Sequence, residues 1–139
     1  MATNLNLDDD KMRDVLRDAK TVAVVGHSDK SHRTSYQIAQ GLRRKGYTVY
    51  AVNPTVTSID GEPSYASLND IPEPVDIVNV FRRSEYVATI VDEAIETGAK
   101  VIFTQLGVVD KNAQSKALAA GLDVAMDRCI KVEIARLGV

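Results

Sequence analysis

The sequence predicts an α/β protein with a Rossmann-like doubly wound fold, a five-stranded parallel sheet in the order 3-2-1-4-5 with helices on both faces. Three observations predict it. Five short segments rich in Val, Ile and aromatics, at residues 21–26, 47–52, 75–81, 100–105 and 122–127, are continuously apolar, as strands covered on both faces must be. Amphipathic helical patterns separate them, and strand–helix alternation implies parallel strands joined by right-handed crossovers. The first strand also runs into a glycine and a polar, basic loop before a helix starts, the layout of an anion-binding turn. In this topology a ligand crevice forms at the carboxyl ends of strands 1 and 4, where the strand order reverses.

In chain order, Met12, Val15, Leu16 and Ala19 mark a lead-in helix within residues 1–20. After the first strand, Thr34 with Gln37 three residues on has the form of a capping box, followed by an apolar stripe at Tyr36, Ile38, Ala39 and Leu42 and a stop at Gly46. Residues 53–74 follow the second strand and read as irregular: they hold all four prolines and Gly61, with one helical turn at 67–70. Beyond the third strand, Val87, Ile90, Val91, Ala94 and Ile95 keep the spacing of a helix over 84–97 that Gly98 ends. Asp110 is placed to cap a helix carrying Ala113, Ala117 and Leu118, with Gly121 as its stop. A short closing helix carries Ile130, Ile134 and Leu137.

The 139 residues read as one domain, 1–139, with no internal repeat or low-complexity tract. A net charge of −2 argues against a general nucleic-acid surface, which needs a strongly basic face. No apolar run approaches the ~20 residues of a membrane span. The first ten residues lack the basic and apolar regions of a signal peptide, so a cytoplasmic location is expected. The single cysteine, Cys129, excludes an internal disulfide, and no Cys/His cluster offers a metal site. Small α/β domains often pair through exposed sides, which leaves a homo-oligomer open.

The loops leaving the strands carry the candidate site. Gly26 ends strand 1, but Ser28 and Ser31 stand where the dinucleotide fingerprint G-x-G-x-x-G has its second and third glycines. Lys30, Arg33, Arg82, Arg83 and Arg128 concentrate positive charge along one rim of an acidic protein, with Asp29, Glu85, Asp110 and Asp127 offsetting part of it. Arginine suits phosphate because its fork donates two parallel hydrogen bonds. NAD-binding folds place Asp or Glu at the end of strand 2 to grip the ribose; here Asn53-Pro54 stand there, either as a departure from that chemistry or as a turn start. His27 and His32 have no orienting carboxylate or nucleophile beside them in sequence, so exposure or a phosphate contact fits better than general-base work. Cys129, flanked by Arg128 and Lys131, reads as a buried structural thiol, with a reactive one as the alternative. Asp127 reads as a cap for the closing helix, with a ligand acceptor as the alternative.

From about Thr21 to Leu137 the chain resembles the CoA-binding domain family, small stand-alone relatives of the nucleotide-binding domain in the α-subunit of succinyl-CoA synthetase. The resemblance is carried, in order, by Val25-Gly26-x-Ser28, Arg33-x-Ser35-Tyr36, Val52-Asn53-Pro54, Pro72-x-Pro74-Val75-Asp76, Val80-Phe81-Arg82, Gln105-Leu106-Gly107 and Asp127-Arg128-Cys129-Ile130-Lys131. Similar proteins often have proline where this chain has Ser31 and Thr34. The resemblance implies a non-covalently bound CoA, with Gly26 and Ser28 beneath its phosphates. Asn53-Pro54 and Phe81-Arg82 would flank the adenosine, and Gln105, Leu106 and Gly107 would line the pantetheine arm. A lysine that follows the strand-2 proline in the synthetase is replaced here by Thr55-Val56, which leaves Arg33 and Arg82 as partners for the 3′-phosphate. The synthetase's phosphorylated histidine belongs to a second domain without counterpart in this chain. A CoA or acyl-CoA binding protein that is not an enzyme on its own is therefore the expected function. The alternatives are an NAD(P)-binding oxidoreductase-type domain and a small CoA-thioester enzyme. A receiver-type signalling domain would need acidic residues after strand 1 and an aspartate ending strand 3, where Gly26 and Phe81-Arg82 stand.

Overall fold

The structure, a computed structural model, describes residues 2–139. Seven strands build its sheet: β1 (Thr21–Val25), β2 (Thr48–Val52), β3 (Ser58–Ile59), β4 (Glu62–Tyr65), β5 (Ile77–Val80), β6 (Val101–Thr104) and β7 (Asp123–Ala125). They lie in the order β3-β4-β2-β1-β5-β6-β7. All neighbours are parallel except the β3–β4 hairpin, so the sheet is mixed. The register sets Val24 beside Ala51 on one side and Asn79 on the other, with Phe103 beyond Asn79.

The expected five-stranded sheet in the order 3-2-1-4-5 is thus corrected in number and order. Its five strands exist as β1, β2, β5, β6 and β7, but the third of them, β5, pairs with β1 and not with β2. The place beside β2 belongs to β4, from the stretch read as irregular. The physical reason is local. Asp60 and Gly61 both have positive φ (52° and 84°), the two-residue turn that matches strand twist and closes a hairpin. Pro63 and the polar residues around it suit a strand at the sheet's margin, where β4 pairs with β2 only at Ala51–Ser64 and Val52–Tyr65. The chain then crosses to the far side of β1. The strand order therefore reverses between β1 and β5, where the topology opens a crevice, and β6, the fourth expected strand, lies one place further out.

Helices cover both faces. On one, α3 (Val87–Thr97) and α4 (Lys111–Ala119) set Ile90, Val91, Ala94, Ala113 and Ala117 against Ala23, Val25 and Val78. On the other, α1 (Asp9–Asp18), α2 (Thr34–Arg44) and α5 (Ile130–Arg136) pack Met12, Leu16, Ile38, Leu42 and Ile134 on Val22, Val24, Ile77 and Phe103. Arg136 of α5 pairs with Asp9 of α1, and α5 also touches α2, so α5 lies between them. Asp110 caps α4 by accepting from the Ala113 N–H, and Gly98 ends α3 with φ +78°, as their sequence positions predict. The lead-in helix forms over α1, capped by Asp8; residue 1 of its expected range lies outside the described residues. Asn79 is fully buried in β5, and both atoms of its amide lack a hydrogen-bond partner.

Candidate functional site

The carboxyl edge of the sheet is assembled around Gly26. The Gly26 N–H donates to Val52 O and the Phe81 N–H to Val25 O, each at 2.8 Å, so the ladder continues one residue past the strands. Gly26 has φ +91°, and a Cβ there would sit 2.5 Å from Phe81 O. Backbone conformation and close approach both require glycine. The turn is held against the strand that ends in Phe81-Arg82.

The loop that follows is tied down from within. The Ser28 N–H donates to Ser35 Oγ at 2.9 Å, and Ser28 Oγ accepts from the Lys30 N–H at 3.0 Å. Ser35 is buried by this role. The expected capping box does not form. Arg33 is the N-cap of α2 without a side-chain cap, Thr34 is already helical, and Gln37 reaches back to Ser31 O. His27 is fully buried, against the expectation of an exposed or phosphate-contacting ring. Its Nδ1 lies 2.8 Å from Ser28 O, its Nε2 3.2 Å from an Arg43 Nη, and its ring meets the Tyr36 ring edge-on. A neutral imidazole with hydrogen on Nδ1 satisfies both contacts, because it donates to the carbonyl and accepts from the guanidinium. Burial lowers the His27 pKa, and Arg43 adds to the shift against the opposing pull of the Ser28 carbonyl and Asp60. His32 is exposed. Tyr36 donates to Asp60 at the hairpin tip, which joins α2 to the strands sequence reading missed.

Asn53 joins the loops. Its Nδ2 donates to His27 O at 2.9 Å, and its Oδ1 accepts from the Thr55 N–H at 3.0 Å and the Thr55 hydroxyl at 2.7 Å. Asn53 thus shapes the turn after β2, and Pro54 lines a cavity.

Two cavities open at this edge, and Arg82 lines both. The smaller, about 140 Å³, lies among Val25, Pro54, Leu68, Tyr86 and Ile90. The larger, about 460 Å³, is bounded by Phe81, Arg83, Ser84 and the 105–108 loop. The Arg82 guanidinium lies 4.1 Å from the centre of the Tyr86 ring, a cation–π contact that fixes its pose. Gln105 Oε1, on the wall of the larger cavity, is buried without a hydrogen-bond partner. The loop is braced from β7: Asp127, at φ +58°, accepts from the Gly107 N–H at 2.7 Å. Asp127 is therefore not the cap of the closing helix; Cys129 occupies that position.

The structure brings Pro54, Phe81, Arg82, Arg83, Gln105, Leu106 and Gly107 onto the cavity walls. It places Ser28, Lys30, Arg33, Ser35 and Tyr36 in or beside the first loop, lining neither cavity. Of the five rim cations, Arg128 is engaged by buried Glu133 at 3.2 Å, Arg83 by Glu85 at 3.6 Å and Lys30 by Asp29 at 4.0 Å. Arg33 and Arg82 form no ion pair among the described residues. Sequence reading missed Tyr86, whose signal was its position four residues after Arg82 near a helix start, and Ser84, whose Oγ accepts from the Val109 N–H. Cys129 is buried, in agreement with its structural reading. Among the described residues no cluster of His, Cys, Asp and Glu is placed to hold a metal ion, and no helix is long and apolar enough to cross a membrane.

Comparison with known proteins gives this geometry a context. Residues 20–135 match the family described as CoA binding domain. The chain is 40% identical over 122 residues to the uncharacterized protein YneT of Bacillus subtilis, covering 88% of this chain and 90% of that one. It is 39% identical over 74 residues to acetate–CoA ligase (ADP-forming) I of Archaeoglobus fulgidus, covering 53% of this chain but 11% of the ligase. Among solved structures, a hypothetical protein from Pyrococcus horikoshii superposes with a TM-score of 0.92 at 33% identity, over 100% of this chain and 98% of the other.

Proposed function

Since the chain belongs to the CoA-binding domain family, we propose that it binds CoA or an acyl-CoA non-covalently at the β1–β5 switch point and performs no chemistry on it alone. The observation that carries this reading is the position of Arg82 between two cavities. A guanidinium with no acidic partner, held on Tyr86, is poised for a phosphate that joins two parts of an extended ligand.

The residues present fit such a ligand. Gln105 Oε1 is a buried acceptor lacking a donor, a state that costs about 1–3 kcal/mol, and a pantetheine amide N–H would supply one. The smaller cavity, with Pro54 and Tyr86 on its walls, offers apolar surface to an adenine ring. When bound, CoA supplies a thiol that carries acyl groups as thioesters. Arg82 would hold phosphate, Arg33 would offer a second guanidinium from the N-cap of α2, and Asp127 would keep the Gly107 loop in place for the arm. No nucleophile stands beside a base and an orienting group at this edge, since His27 is buried and spent on Ser28 and Arg43.

Replacing Arg82 or Arg33 by Ala tests the reading. A charge-assisted hydrogen bond is worth about 1.5–3 kcal/mol, so each change should weaken CoA about 10- to 150-fold in a titration. Dephospho-CoA should lose less wherever that arginine holds the 3′-phosphate. CoA affinity equal to the parent's in both variants would refute this placement.

A further inference from the structure

Between α2 and α5, on the helical face, lies an apolar groove of about 360 Å³ formed by Ile38, Leu42, Ile134 and Ala135. It shares no residue with the cavities at the carboxyl edge. Arg44, Lys45 and Lys131 also line it, and no carboxylate does. Lys45 Nζ donates to Val139 O, whereas Arg44 and Lys131 form no ion pair among the described residues.

Gly41, inside α2, makes the groove informative. Glycine within a helix costs about 1 kcal/mol relative to alanine. Elsewhere in this chain glycine is accounted for by positive φ, but Gly41 is helical. A Cβ added to it would meet only Arg44 Nη2, at 3.8 Å. Neither backbone strain nor close packing requires glycine here. The consequence of its missing side chain is an open groove with the Arg44 guanidinium beside the gap.

We propose that this groove binds a medium-chain fatty acid, with the alkyl chain between α2 and α5 and the carboxylate on Arg44. From Ile38 to Lys45 the groove follows roughly 10 Å of helix, which sets the scale of the chain. Its volume is at the low end of the range for small-molecule sites, roughly 300–1,000 Å³. Cations without a neighbouring acid select an anion, and the guanidinium fork matches a carboxylate in two parallel hydrogen bonds.

Calorimetric titration of the full chain with decanoate, below its micelle concentration, tests this. Saturable one-to-one binding is expected, with decanol at least tenfold weaker. Gly41→Leu, which fills the groove, and Arg44→Glu, which reverses its charge, should each weaken decanoate at least tenfold and leave CoA titrations unchanged. Gly41→Ala should raise the melting temperature of the ligand-free protein. Should Gly41→Leu not fold, Arg44→Glu and the decanol comparison decide. Absence of saturable binding, equal affinity for decanol, or undiminished binding by Arg44→Glu would overturn the proposal. So would a concentration-dependent dimer, seen by sedimentation and abolished by Gly41→Leu, because the groove would then belong to a second copy.

Discussion

At Gly26 one hydrogen atom in place of a side chain lets two strands' loops meet. The residue type was legible in the sequence as the end of an apolar run, but the reason for it was not: the Phe81 carbonyl that a Cβ would strike lies 55 positions away in the chain. His27 shows the opposite case. A lone histidine in a polar loop reads as exposed, yet tertiary packing buries it beneath Tyr36 and against Arg43. Its burial has a pH signature. With a folded-state pKa below the usual value of about 6.5, the unfolded chain takes up the proton first. Stability conferred by neutral His27 is complete above pH 6.5 and is lost as the pH falls from there toward the folded-state value. Melting temperatures measured from pH 7.5 to 5 should fall more steeply for the parent than for His27→Gln. Parallel curves would show that another group is responsible.

Among the elements, those with continuous apolar runs or regular helical spacing were legible, because burial on both sheet faces and the 3.6-residue period leave marks that do not depend on context. The β3–β4 hairpin was not. Its strands are only two and four residues long and mostly polar, and the pairing of β4 with β2 supplies what their composition lacks. One signal was present, Asp60-Gly61, the dipeptide suited to a two-residue hairpin turn. Missing the hairpin displaced β5 in the expected order and moved the expected crevice with it. Within β5, Asn79 is a polar residue between Val24 and Phe103 with nothing to bond. Replacing it by Val removes two unsatisfied groups and suits a buried strand. Asn79→Val should stabilise the protein by about 1–3 kcal/mol, read as a higher urea midpoint with unchanged slope. A lower midpoint would mean that Asn79 has a partner in solution.

For the molecule as a whole, the resemblance read from short motifs spread over residues 21–137 and the family match over residues 20–135 agree. The cavity walls from Pro54, Phe81, Arg82 and residues 105–107 were legible in this way. Asp29 and Glu85, beside Lys30 and Arg83 in the chain, were legible as offsetting acids, whereas the engagement of Arg128 by buried Glu133 was not, because it depends on the turn into α5. A discriminating experiment at this scale compares ligands for their effect on unfolding. At about 100 times its dissociation constant a ligand specific for the native state adds ~2.7 kcal/mol, which raises the melting temperature of a domain this size by roughly 10 °C. CoA is expected to produce such a shift, and NAD and NADP a smaller one at equal concentration. Equal or larger shifts with NAD would favour the oxidoreductase-type alternative.

The contact between Arg82 and Tyr86 has an optical consequence. The chain contains no tryptophan, five tyrosines and two weakly emitting phenylalanines, so its near-ultraviolet emission is dominated by phenol rings. Tyr86 is the one stacked beneath a guanidinium at the mouth of a cavity, where a change in the position of that charge alters the ring's surroundings. The protein thus carries its own fluorophore at the candidate site, and Tyr86→Phe identifies the share of the signal that comes from it.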